Sequence, residues 1–201
     1  MTKKIWDLYA PIYEKAMRFD KKMYQWMYHR IPRVIKNKDV LEIATGPGLL
    51  AKHVANAAHS MIATDYSAGM IREARKGSYP ENLTFEVADA TDLPYGDHSF
   101  DVVLIANALH IMPEPEKALK EINRVLKDKG ILIAPNFVNH RSGFVSRLWS
   151  GVLKIAGIRF DHQWTTEEYC TFLAQNGWQI KNCTEMKARI SLAYVECVRD
   201  R

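Results

Sequence analysis

A doubly wound α/β domain is the fold this sequence predicts, and three observations predict it. From residue 39 onward, short β-rich runs alternate with helical patterns, the arrangement that builds a mostly parallel sheet covered by helices on both faces. The first run, Val40 to Ala44, leads straight into two glycines separated by one residue and then into a helix. Carboxylates recur where the next two strands end. A length of 201 residues, 47% of them hydrophobic and 25% charged, fits one domain with a full core and a modest appendage.

The elements follow in order. Residues 1–38 hold ten Lys/Arg against three Asp/Glu, together with Trp6, Tyr9, Tyr13, Phe19, Tyr24, Trp26 and Tyr28. This reads as a helical cap whose rings pack on the domain while its lysines face water; an anionic-membrane surface and a lid over a ligand stay open as alternatives. The core, 39–135, carries strands at 39–44, 60–64, 83–88, 100–106 and 130–135. Helices fit between them at 48–58, 67–76 and 115–127, the last with Ala118, Leu119, Ile122, Val125 and Leu126 at helical spacing. A helical insert at 136–164 sets Phe144, Val145, Leu148, Trp149, Val152, Leu153 and Ile155 on one face, with Arg141, Arg147, Lys154 and Arg159 around it. Such a basic amphipathic helix packs on the domain, lies on an anionic membrane or covers an apolar acceptor. A helix at 165–176, capped by Thr165 or Thr166, and strands at 177–183 and 190–198 complete the single domain in its last part, 165–201.

No apolar run approaches the roughly 20 residues that span a bilayer, and Met1 to Asp7 opens no signal-peptide stretch, so a cytoplasmic protein is expected. Cys170, Cys183 and Cys197 are odd in number and far apart in sequence, which suits neither a disulfide framework nor a metal knuckle. They are expected to be reduced and structural, and no metal site is expected.

In an open α/β sheet, ligands sit at the carboxyl ends of the strands. Gly46 and Gly48 have no Cβ and can take positive φ, so backbone can turn sharply and approach a ligand closely. Glu42, aimed at this loop, would repel a pyrophosphate and attract an ammonium group, which points to a partly cationic nucleoside. Asp65 closes strand two, 17 residues after Gly48, and can accept both hydroxyls of a ribose. Asp89 closes strand three, where it can receive an adenine exocyclic amine, and Asn107 and His110 end strand four. Each acid alone has an ordinary reading as a helix cap or turn residue. The ordered set of acid, Gly-x-Gly, acid and acid has no such explanation.

With these residues in place, the chain resembles the class I S-adenosylmethionine-dependent methyltransferases, in particular the small-molecule branch that includes ubiquinone/menaquinone-biosynthesis and phospholipid N-methyltransferases. The resemblance runs from about residue 39 to 135. Glu42-Ile43-Ala44-Thr45-Gly46-Pro47-Gly48 is similar to the family's first motif, with Ala44 in place of its first glycine, a departure read as mild because the later turn is still permitted. Leu93 to Val103 is similar to the run leading into strand four, and Leu109-His110 to the Leu-His just beyond it. The resemblance implies a Rossmann-like sheet of seven strands, the last antiparallel, and S-adenosylmethionine as methyl donor. It implies donor contacts from Glu42, Ala44, Thr45, Gly46 and Gly48, from Asp65, Tyr66 and Met70, from Asp89 and Ala90, and from Asn107. Tyr9-Ala10-Pro11-Ile12-Tyr13 resembles an N-terminal motif that folds over the methionine end, placing Tyr13 on the donor and Tyr9 on the acceptor. His140 and Trp164, flanking the insert, are further acceptor residues.

The expected chemistry is in-line attack by an acceptor N, O, S or C atom on the sulfonium methyl group, in which alignment contributes up to about 7–11 kcal/mol. A general base is needed only where the acceptor must lose a proton, and His110 is the residue best placed for it, beside an equally open role in packing. Strand four lacks the Asn/Asp-Pro-Pro-aromatic sequence of exocyclic-amine methylation, and no Pro-Cys nucleophile, arsenic-binding cysteine set or catechol-type magnesium cluster is present. Nothing resembles a base-reading module, so the acceptor is expected to be a small, hydrophobic molecule such as a lipid, quinone precursor or aromatic metabolite and not a nucleic acid. Two other readings stay open. One is a non-catalytic donor-binding regulator; the other is an NAD-dependent oxidoreductase, since Gly46 to Ala51 also satisfies Gly-x-Gly-x-x-Gly/Ala.

Overall fold

The computed structural model describes Trp6, Asp7, Ala10 and residues 21–138, 162–187 and 191–200. In chain order these form α1 (Lys21–Ile35), β1 (Asp39–Ile43), α2 (Leu49–Val54) with a short 3-10 turn after it, β2 (Ser60–Asp65), α3 (Ala68–Ala74), β3 (Leu83–Val87) and β4 (Phe100–Ile105). They continue with a 3-10 turn (Leu109–Ile111), α4 (Pro115–Val125), β5 (Leu126–Ile133), β6 (Asn136–Val138), α5 (Thr166–Gln175), β7 (Trp178–Met186) and β8 (Ser191–Arg199). The sheet runs β3-β2-β1-β4-β5-β8, with β6 and β7 also paired to β8. β1 to β5 are parallel and β8 is antiparallel to its neighbours.

The sequence pattern accounts for this architecture. Alternate residues of β1 and β4 divide between two apolar clusters, as a two-residue period demands of strands covered on both faces. Val40, Val102 and Leu104 pack with Met27, Ile31 and Ile35 of α1, Leu50 and Val54 of α2 and Ile71 of α3. Leu41, Ile43, Val103 and Ile105 pack with Leu119 and Ile122 of α4 and with Tyr169 and Leu173 of α5. The doubly wound sheet is thus present, with eight strand segments where seven strands are expected. β5 and β6 lie in one register along the same edge of β8, interrupted at Ala134-Pro135, where proline has no N–H to give to a ladder.

Two long-range contacts fix the helices on the sheet. The helix expected over 115–127 ends at Val125, because the Arg199 guanidinium arrives from β8 and donates to the Asn123 and Leu126 carbonyls at the helix end. On the other face, Arg30 of α1 makes a bidentate pair with Glu196 of β8 at 2.8 and 2.7 Å, and Tyr194 Oη donates to the same carboxylate at 2.8 Å. α1 is thereby fixed across the sheet. The apolar helix expected within the insert lies outside the described residues, since nothing between Val138 and His162 is described.

Candidate functional site

A cleft of about 300 Å³ opens at the carboxyl ends of β1 to β4. Ile43, Ala44 and Gly46 line it from β1, Asp65 and Tyr66 from β2, Met70 from α3, and Ala88 to Thr91 from β3. Ala106 to Ala108 follow β4, Ile111 to Glu114 follow the 3-10 turn, and Trp6 reaches in from the N-terminal segment. Ala44, Gly46, Asp65, Tyr66, Met70, Asp89, Ala90 and Asn107 are brought together here. Thr45, Gly48 and Glu42 lie behind the loop and do not line the cleft.

The loop is a run of left-handed turns, with φ of 56° at Ala44, 57° at Gly46 and 78° at Gly48. The family's first glycine position therefore needs positive φ itself, and Ala44 occupies it against the steric preference of an L-residue. That corrects the reading of this departure as mild. Gly48 is required twice over, because a Cβ there would also lie 2.8 Å from the Phe85 ring.

Glu42 organises this loop from inside. It shares strand parity with Val40, so it faces the side on which α2 begins. Gly48, the N-cap of α2, has no side chain to cap with, and the Glu42 carboxylate supplies the missing acceptor for the Ala51 N–H. Thr45 Oγ1 donates to its Oε2 at 2.8 Å. Only 2% exposed, the Glu42 carboxyl is pushed up to about 7, chiefly by desolvation and further by the nearby Asp65, against the Thr45 and Ala51 hydrogen bonds.

Asp65 joins the loop to α3. Its Oδ2 accepts from Gly46 N–H and its Oδ1 from Ser67 N–H, both at 2.8 Å, which leaves a lone pair on each oxygen for a ligand hydroxyl. Burial raises its pKa above its ordinary value, the two N–H bonds oppose the shift, and Asp7 adds to it. Asp7 Oδ1 accepts from Ser67 Oγ at 2.5 Å and Gly69 N–H at 2.7 Å, and a Cβ on Gly69 would lie 2.8 Å from the Asp7 backbone. The glycine is what lets the N-terminal segment approach.

Across the cleft, Asp89 Oδ1 accepts from the Thr91 N–H and hydroxyl at 2.9 and 2.7 Å, which fixes the carboxylate at the wall. Arg124 steadies the loop beyond, donating to the Leu93 and Tyr95 carbonyls while paired with Glu121 and Asp97. Asn107 is the exceptional group. It is 7% exposed, has φ of 53°, and both Oδ1 and Nδ2 are buried without a hydrogen-bond partner. An orphaned buried polar atom costs about 1–3 kcal/mol, and this side chain offers one donor and one acceptor to the same cleft. A ligand with an ammonium and a carboxylate fits that pair.

His110 is 4% exposed and does not line the cleft. Its Nδ1 lies 2.8 Å from Asn136 Oδ1, and its carbonyl accepts from the His162 N–H at 3.0 Å. Desolvation lowers its pKa to about 4, so the ring is neutral at ordinary pH and donates Nδ1–H to the amide oxygen. His162 stacks on Trp164 with centroids 4.8 Å apart, and Trp164 stacks on Phe172 at 4.6 Å. Tyr9, Tyr13 and His140 lie outside the described residues. Sequence reasoning did not assign Trp6, Asp7 or the Ile111–Glu114 wall. The only local signal was the aromatic-acid pair just before Tyr9, whose contact is made 60 residues away.

Comparison with known proteins bears on this geometry. Residues 41–134 match the methyltransferase domain family. The chain is 30% identical over 164 residues to the ubiquinone/menaquinone biosynthesis C-methyltransferase of Rickettsia prowazekii, covering 72% of this chain and 66% of that protein. It is 36% identical over 103 residues to the demethylmenaquinone methyltransferase of Renibacterium salmoninarum, covering 51% and 43%. The matched region thus spans less than two thirds of these relatives. Among solved structures, an S-adenosylmethionine-dependent methyltransferase from Thermotoga maritima superposes with a TM-score of 0.77 at 21% identity, covering 99% of this chain and 100% of that one, a likeness of fold.

Proposed function

Because the chain belongs to the class I S-adenosylmethionine-dependent methyltransferases, we propose that it catalyses methyl transfer to a small hydrophobic acceptor, with a quinone precursor first among lipids, quinone precursors and aromatic metabolites. The single observation that carries the reading is the buried, unpartnered amide of Asn107 at the head of a cleft that Asp65 and Asp89 also line. In this assignment Asp65 holds the ribose hydroxyls, Asp89 the adenine amine, and Asn107 the methionine end. Tyr66, 47% exposed at the cleft, offers a ring face to the base. Glu42 acts through Thr45 and the capped α2, keeping the loop in the conformation the ligand needs. S-adenosylmethionine, when bound, supplies an electrophilic methyl group on a sulfonium and leaves as S-adenosylhomocysteine.

The residues of the chain align the two reactants and exclude water. Trp6 and the Ile111–Pro113 wall give the cleft its apolar side, which suits an apolar acceptor. His110 holds the turn that presents this wall, and its burial, neutral ring and bond to Asn136 support that role above proton abstraction. The relative named a ubiquinone/menaquinone biosynthesis C-methyltransferase supports a carbon as the methylated atom. Among the described residues no helix is long and apolar enough to cross a membrane, and the basic N-terminal segment, ten Lys/Arg against three Asp/Glu, supports peripheral contact with anionic lipid as the route to such an acceptor.

Calorimetric titration with S-adenosylmethionine, S-adenosylhomocysteine and NAD tests the donor; binding of NAD alone overturns the assignment. Incubation with methyl-labelled donor and a reduced quinone lacking its ring methyl tests the acceptor. Label retained in a ring C–methyl product is the expected result, and sustained product formation also excludes a binding-only regulator.

A further inference from the structure

The three cysteines are separated in sequence, yet the fold brings two of them together. Cys170 on α5 and Cys183 on β7 have Sγ atoms 3.5 Å apart, and Cys183 is solvent-exposed. The third, Cys197 on β8, is 0% exposed within the apolar core beneath α5. We propose that Cys170 and Cys183 form a reversible oxidation site, at which peroxide links α5 to β7 through a disulfide.

The geometry favours closure. A disulfide needs an S–S separation of about 2.0 Å, so the pair has to close by about 1.5 Å, which side-chain rotation can supply without moving either element far. α5 and β7 are already held together nearby, where Thr166 Oγ1 donates to Glu185 Oε2 at 2.6 Å. The entropy of bringing the two elements together is therefore spent in folding.

The two thiols are also unequal, as a reactive pair requires. Cys170 donates its S–H to Cys183, and that hydrogen bond pulls the Cys183 thiol down to about 7, against partial burial and Glu185, while Cys170 is held above its ordinary value. Cys183, the solvent-exposed member of the pair, is the nucleophile and the half-buried Cys170 the resolving thiol. Burial pushes Cys197 up to about 12, which removes it from competition. In the first step the Cys183 thiolate attacks one peroxide oxygen, the O–O bond breaks, and the departing hydroxide takes a proton to become water. Cys183 is now a sulfenic acid. Cys170 Sγ then attacks Cys183 Sγ; the S–S bond forms, the S–O bond breaks, and the hydroxyl leaves as water with the Cys170 proton. Two thiols lose two electrons and one peroxide becomes two waters.

The test uses the full chain treated with a small excess of hydrogen peroxide and digested under non-reducing conditions. Expected are a cross-linked peptide pair joining Cys170 to Cys183, a fall from three titratable thiols to one, and full recovery with dithiothreitol. Cys170→Ser should leave Cys183 as a sulfenic acid that dimedone traps, and Cys183→Ser should slow thiol loss at least tenfold. A cross-link through Cys197, a disulfide between two chains, or equal peroxide reactivity of all three thiols overturns the proposal.

Discussion

At the carboxyl ends of β1 to β4 the chain meets its cleft with backbone, through left-handed residues at 44, 46 and 107 and acids that hold loop N–H groups. Beyond β5, outside the residues that line the cleft, it presents rings. There His162, Trp164 and Phe172 stack in sequence, tied to the cleft wall by one hydrogen bond from the His162 N–H to the His110 carbonyl. A polar nucleoside is read by fixed donors and acceptors, which a strained but rigid backbone provides. An apolar acceptor is read by shape and area, which stacked rings provide with few ordered torsions. Under the proposed function, the difference teaches that donor and acceptor place unrelated demands on one sheet.

Breaking the backbone side should have the largest effects, and Glu42 is where it is most exposed to test. Its carboxyl rises from 4.5 to about 7 on folding. The folded state therefore holds this proton more tightly than the unfolded chain. The resulting stability is full below about pH 4.5 and is lost as pH rises through about 7. At 1.36 kcal/mol per unit the loss reaches about 3 kcal/mol, and Glu42→Gln should remove it. Urea unfolding of both proteins at about pH 4.5 and about pH 7.5 measures it; parallel losses in the two proteins would show that Glu42 does not organise the loop.

Asp65→Ala comes next. It leaves the Gly46 and Ser67 N–H groups without their acceptor and removes the proposed ribose contact, so donor affinity should fall by about 2–3 kcal/mol, roughly 30- to 150-fold. Titration calorimetry with S-adenosylhomocysteine reads this directly. An unchanged affinity would move the ribose elsewhere.

The ring side is sharpened by a smaller change. Trp164→Ala removes the stack between His162 and Phe172, worth about 0.5–1.5 kcal/mol. The acceptor KM should rise up to roughly tenfold while the donor Kd stays within twofold. Equal losses for both substrates would mean that the two regions are not separable.

How much of this was legible in the sequence follows the same division. Glu42, Gly46, Gly48, Asp65 and Asp89 were readable because strand ends, turns and acids are local chemistry, spelled within a few residues. The expected strand starts agree closely with those of β1 to β4, whose apolar runs are buried on both faces. What was not legible is made by contacts across the fold: Asp7 on Gly69, Arg199 ending α4, Cys170 meeting Cys183. Asn107 was readable as a position but not as a buried, unpartnered amide on left-handed backbone, since neither property has a signature in one sequence.

Ala44 gives the finest test of the backbone side, because the expected change is small and its sign is not obvious. At φ 56° an L-residue lies about 1–2 kcal/mol above a glycine. Glycine, however, widens the unfolded ensemble and returns about 0.4–1 kcal/mol of that advantage. The steric relief is the larger quantity, so Ala44→Gly should stabilise the protein by about 0.5–1 kcal/mol, a rise in Tm of about 1–4 °C for a chain of this size. The Cβ lost is small and Ala44 is only partly buried against its apolar cluster, so little packing opposes the gain. Donor affinity should stay within twofold, because Asp65 still holds Gly46 and Glu42 still holds Thr45 on either side of the substituted residue. A melting curve shifted downward would mean that the Ala44 methyl group contributes more to the cleft wall than its strained φ costs.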